Sequence, residues 1–192
     1  MTNPATPVTT APTIVQRPAQ PYIGTTRAVT MTSIGLVADR LPEILNVLLA
    51  QGQEPAGPPF LRYLAIRDDM SELEVEAGWP VVRDVDLSAD STGAHAGELP
   101  AGGYVTLTHH GHPDGLLDVN ASVLAWAEER GLVWDATPVG DGRRWGCRLE
   151  SYLTDPRVEP DLNSWDIELA LRLAGGDSLD SALSQARTIV GA

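Results

Sequence analysis

The stretch Trp145-Gly146-Cys147-Arg148-Leu149-Glu150-Ser151-Tyr152-Leu153-Thr154-Asp155-Pro156 reads with period two as a β-strand. Trp145, Cys147, Leu149 and Leu153 share a face that suits a packed core, while Arg148, Glu150 and Tyr152 share the opposite one. A carboxylate and a phenol therefore stand on one side of the strand. Gly131, Trp134 and Glu150 follow Gly57, Phe60 and Glu76 by 74 residues each, so the segment around Glu150 has a counterpart around Glu76 with no gap between them.

Outward from that pair, the chain reads as βαββ twice. In the first unit, Thr13–Val15 and Tyr22–Thr30 are extended. Ile34, Val37, Leu41, Leu45, Leu48 and Leu49 recur at helical spacing behind a Thr32 or Ser33 cap, with Pro42 kinking or restarting the helix and Gly52 closing it. Phe60–Ile66 and Leu73–Trp79 form a hairpin through Asp68, Asp69 and Ser71, with Leu73, Val75, Ala77 and Trp79 opposite Glu74 and Glu76. Asp84–Gly97 reads as an exposed linker.

In the second unit, Ala101–Thr108 is a strand and Asp114–Arg130 a helix stopped by Gly131. Trp134–Val139 and Trp145–Leu153 form a hairpin, and Trp165–Leu173 alternates as a closing strand. The fold class is α+β: duplicated βαββ units related by a pseudo-two-fold, an antiparallel sheet with helices on one face and a ligand groove on the other. The first repeat covers about 13–82 and the second about 97–173. Residues 1–12, rich in Thr, Pro and Ala, read as a disordered leader, and 174–192 as a tail or short helix.

With 192 residues, one domain of roughly 150–160 residues is expected. Thirteen basic residues against 26 acidic ones give a net charge of −13, which repels phosphate backbones and favours neutral or cationic partners over nucleic acid. No apolar run approaches the ~20 residues of a membrane span, so no membrane partner is expected. Without an export signal and with the single thiol of Cys147, read as a small buried hydrophobe, the expected compartment is the cytoplasm.

The face opposite the helices is expected to carry Glu76, Tyr104, Arg148, Glu150 and Tyr152. These are aromatic walls and acidic groups suited to an aromatic or cationic small molecule through stacking, cation–π contact and charge neutralisation. Tyr63 is a further wall residue. Trp79, Trp145 and Trp165 lie on core parity, with Trp145 also a candidate for the ligand. His109, His110 and His112 cluster near Asp114, but neighbouring strand residues point to opposite faces, so a loop and helix cap is expected there instead of a metal site. No dinucleotide, phosphate-loop or GxSxG motif is present, and no cofactor is expected.

Pro21-Tyr22-Ile23, Gly57-Pro58-Pro59-Phe60-Leu61-Arg62-Tyr63, Val75-Glu76-Ala77-Gly78-Trp79-Pro80-Val81, Leu99-Pro100-Ala101-Gly102-Gly103-Tyr104, His109-His110-Gly111 and Leu149-Glu150-Ser151-Tyr152-Leu153-Thr154-Asp155-Pro156 together resemble the GyrI-like, or AraC effector-binding (BmrR-type), family, in that order from about Thr13 to Leu173. With no helix-turn-helix flanking it in this sequence, the domain looks like a stand-alone member. The resemblance implies one of three functions: capture of a hydrophobic cation by a groove glutamate, hydrolysis of cyclopropane-bearing DNA-alkylating antibiotics, or inhibition of a gyrase-like protein partner. In the hydrolase reading, Glu150 is the general base and the Tyr152 hydroxyl stabilises the oxyanion. Gly111-His112-Pro113-Asp114 stands where relatives tend to read Gly-Pro-Tyr-Asp, which removes one tyrosine from the groove rim.

Overall fold

The computed structural model describes residues 8–88 and 92–175. Of the expected leader, residues 1–7 lie outside the described residues, as does the expected tail from residue 176. In chain order the elements are β1 (Val8–Thr9), β2 (Thr13–Arg17), β3 (Gln20–Val29), α1 (Gly35–Ala38), α2 (Leu41–Ala50), β4 (Phe60–Arg67), β5 (Leu73–Pro80), β6 (His95–Leu99) and β7 (Gly102–His110). They continue with α3 (Leu116–Glu128), β8 (Ala136–Pro138), β9 (Gly142–Trp145), β10 (Arg148–Tyr152) and β11 (Asp166–Arg172). The fold is mixed α+β with antiparallel strand pairing, as expected from the periodicity. Among the described residues no helix is long and apolar enough to cross a membrane.

The chain divides into two compact units. The Glu76 unit comprises the described residues of Pro18–Ala101 and Ala136–Leu149; the Glu150 unit comprises those of Met1–Arg17, Gly102–Asp135 and Glu150–Ala192.

In the Glu76 unit the strand order is β6-β3-β5-β4-β9-β8, antiparallel throughout. The β4–β5 hairpin turns where Asp69 accepts hydrogen bonds from the Ser71 amide and hydroxyl, with Met70 at φ 56°. Directly paired residues share a face, so Ile23, Ala77, Trp79 and Leu61 lie together. Against that face packs α2. Pro42 falls in its first turn, where a missing N–H costs nothing. Ile44 and Leu48 are fully buried against Ile23 and Val81, with Trp79 packed beside them. The opposite face carries Tyr22, Gly24, Glu76, Gly78, Phe60 and Arg62.

Several boundaries differ from the sequence reading. The helix expected to begin at a Thr32 or Ser33 cap begins after Ile34 without a side-chain cap, because Ser33 Oγ accepts from the Thr30 amide instead. The linker expected over 84–97 ends in a strand: β6 pairs with β3 from His95↔Gly24 to Leu99↔Gln20. Its sequence lacks apolar alternation because it lies at an edge and is half exposed. The strand expected over 145–153 breaks at Gly146-Cys147, giving β9 and β10, and the one expected over 134–139 shortens to Ala136–Pro138. Instead of repeating the β4–β5 hairpin, β9 pairs with β8 on one side and with Ala65–Arg67 of β4 on the other.

In the Glu150 unit, β7 pairs with β11 along its length, from Asp166↔His110 to Arg172↔Tyr104. Its other edge is shared by β2 and β1, so the chain is a strand from Val8, where disorder was expected. Helix α3 buries Val119, Val123 and Ala127, and Gly131 at φ 63° follows it.

Replacing Ile44 by Ala removes a fully buried branched side chain and should lower the unfolding free energy of the domain by about 2–5 kcal/mol, whereas Leu49→Ala, at a position 52% exposed on the same helix, should change it by about 0.5 kcal/mol or less. Urea titration followed by circular dichroism checks both; equal losses would mean that the face of α2 has been misassigned.

Candidate functional site

Four strands of the Glu76 unit converge on one carboxylate. Glu76, on β5, has a side chain only 2% exposed. Tyr22 Oη, from β3, donates to its Oε2 at 2.7 Å, and His95 Nε2, from β6, lies 2.6 Å from its Oε1. Arg62, from β4, stands 3.7 Å from Oε2, donates to Tyr22 Oη at 3.0 Å and donates to the Gly146 carbonyl at 2.8 Å. A carboxylate this deep is tolerable only with such partners, since an unpaired buried charge costs several kcal/mol.

Glycines make the convergence sterically feasible. A Cβ on Gly24, paired with His95 across the strands, would lie 3.3 Å from Glu76 Cγ and Oε1 and 2.8 Å from the Ala77 carbonyl oxygen. On Gly97 it would collide with the Tyr22 ring and hydroxyl, and on Gly78 it would come within 2.7 Å of the Phe60 ring. Phe60 in turn meets Tyr22 edge-on, with centroids 5.2 Å apart.

Burial, reinforced by the hydrogen bond to Glu76 and its charge, pushes the Tyr22 phenol well above its ordinary pKa against the opposing effect of Arg62, so Tyr22 acts as a donor. For Arg62, burial alone would lower the pKa; Cys147, Tyr22 and Glu76 outweigh it, and the guanidinium is held further toward its charged form.

Glu150 has different company. It is 6% exposed, and its carboxylate faces helix α3 instead of the expected side opposite the helices: Asn120 Nδ2 approaches Oε1 at 3.4 Å while also donating to the Leu116 carbonyl at 2.9 Å. Tyr152 Oη lies 3.5 Å from Oε2, and the Tyr152 ring meets Trp165 edge-on at 6.2 Å. Burial first, then the charge of Glu150 and its hydrogen bond, raise the Tyr152 pKa well above the ordinary phenol range. The site offers a buried carboxylate, a phenol held protonated and an aromatic edge.

The other candidates separate. Arg148 lies 5.9 Å from the Tyr63 ring centroid and 4.9 Å from that of Trp145, which gathers these three residues. Tyr63 pairs with Val75 and so shares the helix-side face of the Glu76 unit, opposite Glu76. Tyr104 is buried with Arg17 at 5.5 Å from its ring, and Arg17 pairs with Glu168 at 2.7 Å. The three clustered histidines diverge: His109 contacts Thr9 and the His112 carbonyl, His110 contacts Asp166, and His112 accepts from the Asp114 amide.

Four residues of these clusters escape a sequence reading: Tyr22, Arg62, His95 and Asn120. Tyr22 and Arg62 lie two strands apart and show their convergence only through register. His95 sits in a stretch without periodicity. Asn120 left a signal, an amide inside an apolar helical stripe where such residues are disfavoured.

The sequence pattern of the GyrI-like small molecule binding domain matches residues 10–174. No curated protein matches the sequence. Among solved structures, the EcmrR C-terminal domain superposes with a TM-score of 0.63 at 17% identity, covering 85% of this chain and 96% of that one. A hydrolase from Listeria innocua gives 0.59 at 14%, covering 85% and 91%, and SAV2435 bound to tetraphenylphosphonium gives 0.55 at 12%, covering 86% and 95%. These identities speak for shared fold. Pattern and fold agree over nearly all the described residues, and the chain belongs to the GyrI-like small molecule binding domain family.

Proposed function

We propose that this domain captures a hydrophobic, aromatic or cationic small molecule, in the cytoplasm and in the service of resistance to a toxin or antibiotic. Glu150 supplies the charge and Tyr152 the aromatic surface. The observation that carries this reading is Glu150 itself: a carboxylate 6% exposed beside the Tyr152–Trp165 pair. Partial desolvation strengthens its attraction for a cation, and aromatic edges accommodate the apolar body of such a ligand. The tetraphenylphosphonium bound by the structurally similar SAV2435 exemplifies this ligand class.

A second reading, hydrolysis of a cyclopropane-bearing DNA-alkylating compound, is favoured by the juxtaposition of the Glu150 carboxylate and the Tyr152 hydroxyl, 3.5 Å apart. Glu150 would take a proton from water as the water oxygen bonds to a ring carbon. The breaking C–C bond would send its electron pair onto a conjugated carbonyl oxygen, stabilised by the Tyr152 hydroxyl, and the proton on Glu150 would return to that product. Inhibition of a gyrase-like protein is the third reading and involves none of these side chains.

Isothermal titration with tetraphenylphosphonium should give a Kd about tenfold or more weaker for Glu150→Gln than for wild type, with a neutral aromatic of similar size little affected, since one lost charge contact is worth about 1.4 kcal/mol. Equal affinity of the two proteins for the cation would remove Glu150 from the reading.

Mass spectrometry of a cyclopropane-bearing alkylating compound incubated with a tenth of its amount of protein separates binding from turnover: stoichiometric capture supports binding alone. If ring-opened product exceeds protein, Tyr152→Phe should slow it by about 10²-fold, the usual loss for one oxyanion donor. A stable complex with gyrase that survives Glu150→Gln would instead favour the protein-inhibitor reading.

A further inference from the structure

Three half-exposed histidines each face a carboxylate, and they differ in where that carboxylate sits. His110 Nδ1 is 2.8 Å from Asp166, whose side chain is 50% exposed, and His112 Nδ1 is 3.4 Å from Asp114, 93% exposed. His95, 48% exposed, has its Nε2 2.6 Å from Glu76, which is 2% exposed and held from behind by Tyr22 Oη at 2.7 Å. The exposed aspartates are free to swing and are screened by water. Glu76 is not, because β3, β4 and β6 all contribute groups that pin it.

An ionised carboxylate only accepts hydrogen bonds, so Glu76 fixes the proton of neutral His95 on Nε2 and leaves the Nδ1 lone pair as the basic position. A buried carboxylate that holds an imidazole in one tautomer and stabilises the imidazolium is the arrangement that makes histidine an effective general base. We propose that His95, oriented by Glu76, forms a proton-transfer site in the Glu76 unit, separate from Glu150, that promotes attack of water on small activated acyl esters. Nδ1 takes a proton from water as the water oxygen bonds to the carbonyl carbon. Collapse of the adduct breaks the bond to the leaving oxygen, which carries off the proton from Nδ1, so an acid and an alcohol are released and the imidazole is restored. His95 is the catalytic residue of this site; Glu76 is a positioning residue that acts through it.

The test compares steady-state hydrolysis of p-nitrophenyl acetate by the full chain and its variants. His95→Ala and His95→Gln should each lose about tenfold or more of the protein-dependent rate, less than the roughly 10²–10⁴-fold of a fully optimised general base, while His110→Ala and His112→Ala keep it. Glu76→Gln should lower kcat with KM little changed, and its thermal unfolding is recorded alongside. An unchanged rate in a folded His95→Ala protein, or a loss shared evenly among the three histidine variants, overturns the proposal. If the His95 variants do not fold, site-resolved ethoxycarbonylation of the wild type by diethyl pyrocarbonate decides: modification of His95 severalfold faster than His110 and His112 supports the site, and equal rates refute it. Binding of tetraphenylphosphonium at Glu150 is independent of either result, so the two assignments stand or fall separately.

Discussion

A carboxylate removed from water must be matched by partners, and in this protein that requirement organises half the chain. Glu76, on β5, is buried where β3, β4 and β6 each send one group to it. The arrangement constrains strand register as strongly as the apolar face does, since a one-residue slip of β3 or β6 would carry Tyr22 or His95 to the helix side. Ile23, Ile44 and Leu48 supply the bulk of the packing on one face, and the polar cluster supplies specificity on the other.

The two acidic centres illustrate how environment differentiates one side chain. Glu76 has short contacts of 2.6 and 2.7 Å and a guanidinium nearby. Glu150 has an amide at 3.4 Å and a phenol at 3.5 Å. Short, charge-balanced bonds fix Glu76 in one geometry, which suits it to holding protein groups in register.

Much of the architecture was legible in the chain because period-two and helical patterns report burial directly. The β4–β5 hairpin, α2 with its Pro42 start, α3 and β11 stand close to where their apolar spacing puts them. Legibility failed where structure rests on something other than alternating burial. β6 is an edge strand specified by its pairing partner; Gly146-Cys147 interrupts a run whose parity looked continuous; Val8–Thr9 has composition typical of disorder but finds a vacant edge of β7. The 74-residue offset drew attention to Glu76 and Glu150, yet it could not reveal their neighbours. Tyr22 and Arg62 come from elsewhere in the first half, and Asn120 comes from a helix face, so only register and packing bring them in.

The glycines at 24, 78 and 97 have a consequence for transferring this chemistry. They form, together, a cast of the side chains that lie over them: Gly24 of Glu76, Gly78 of Phe60 and Gly97 of Tyr22. A sheet carrying the same four polar residues over ordinary β-formers would have no volume in which to assemble them. The information that builds the cluster is thus divided between groups that are present and atoms that are missing, and the missing half travels on different strands from the groups it serves. Any attempt to recognise or graft this arrangement in another antiparallel sheet therefore has to match the hollows before it matches the functional groups.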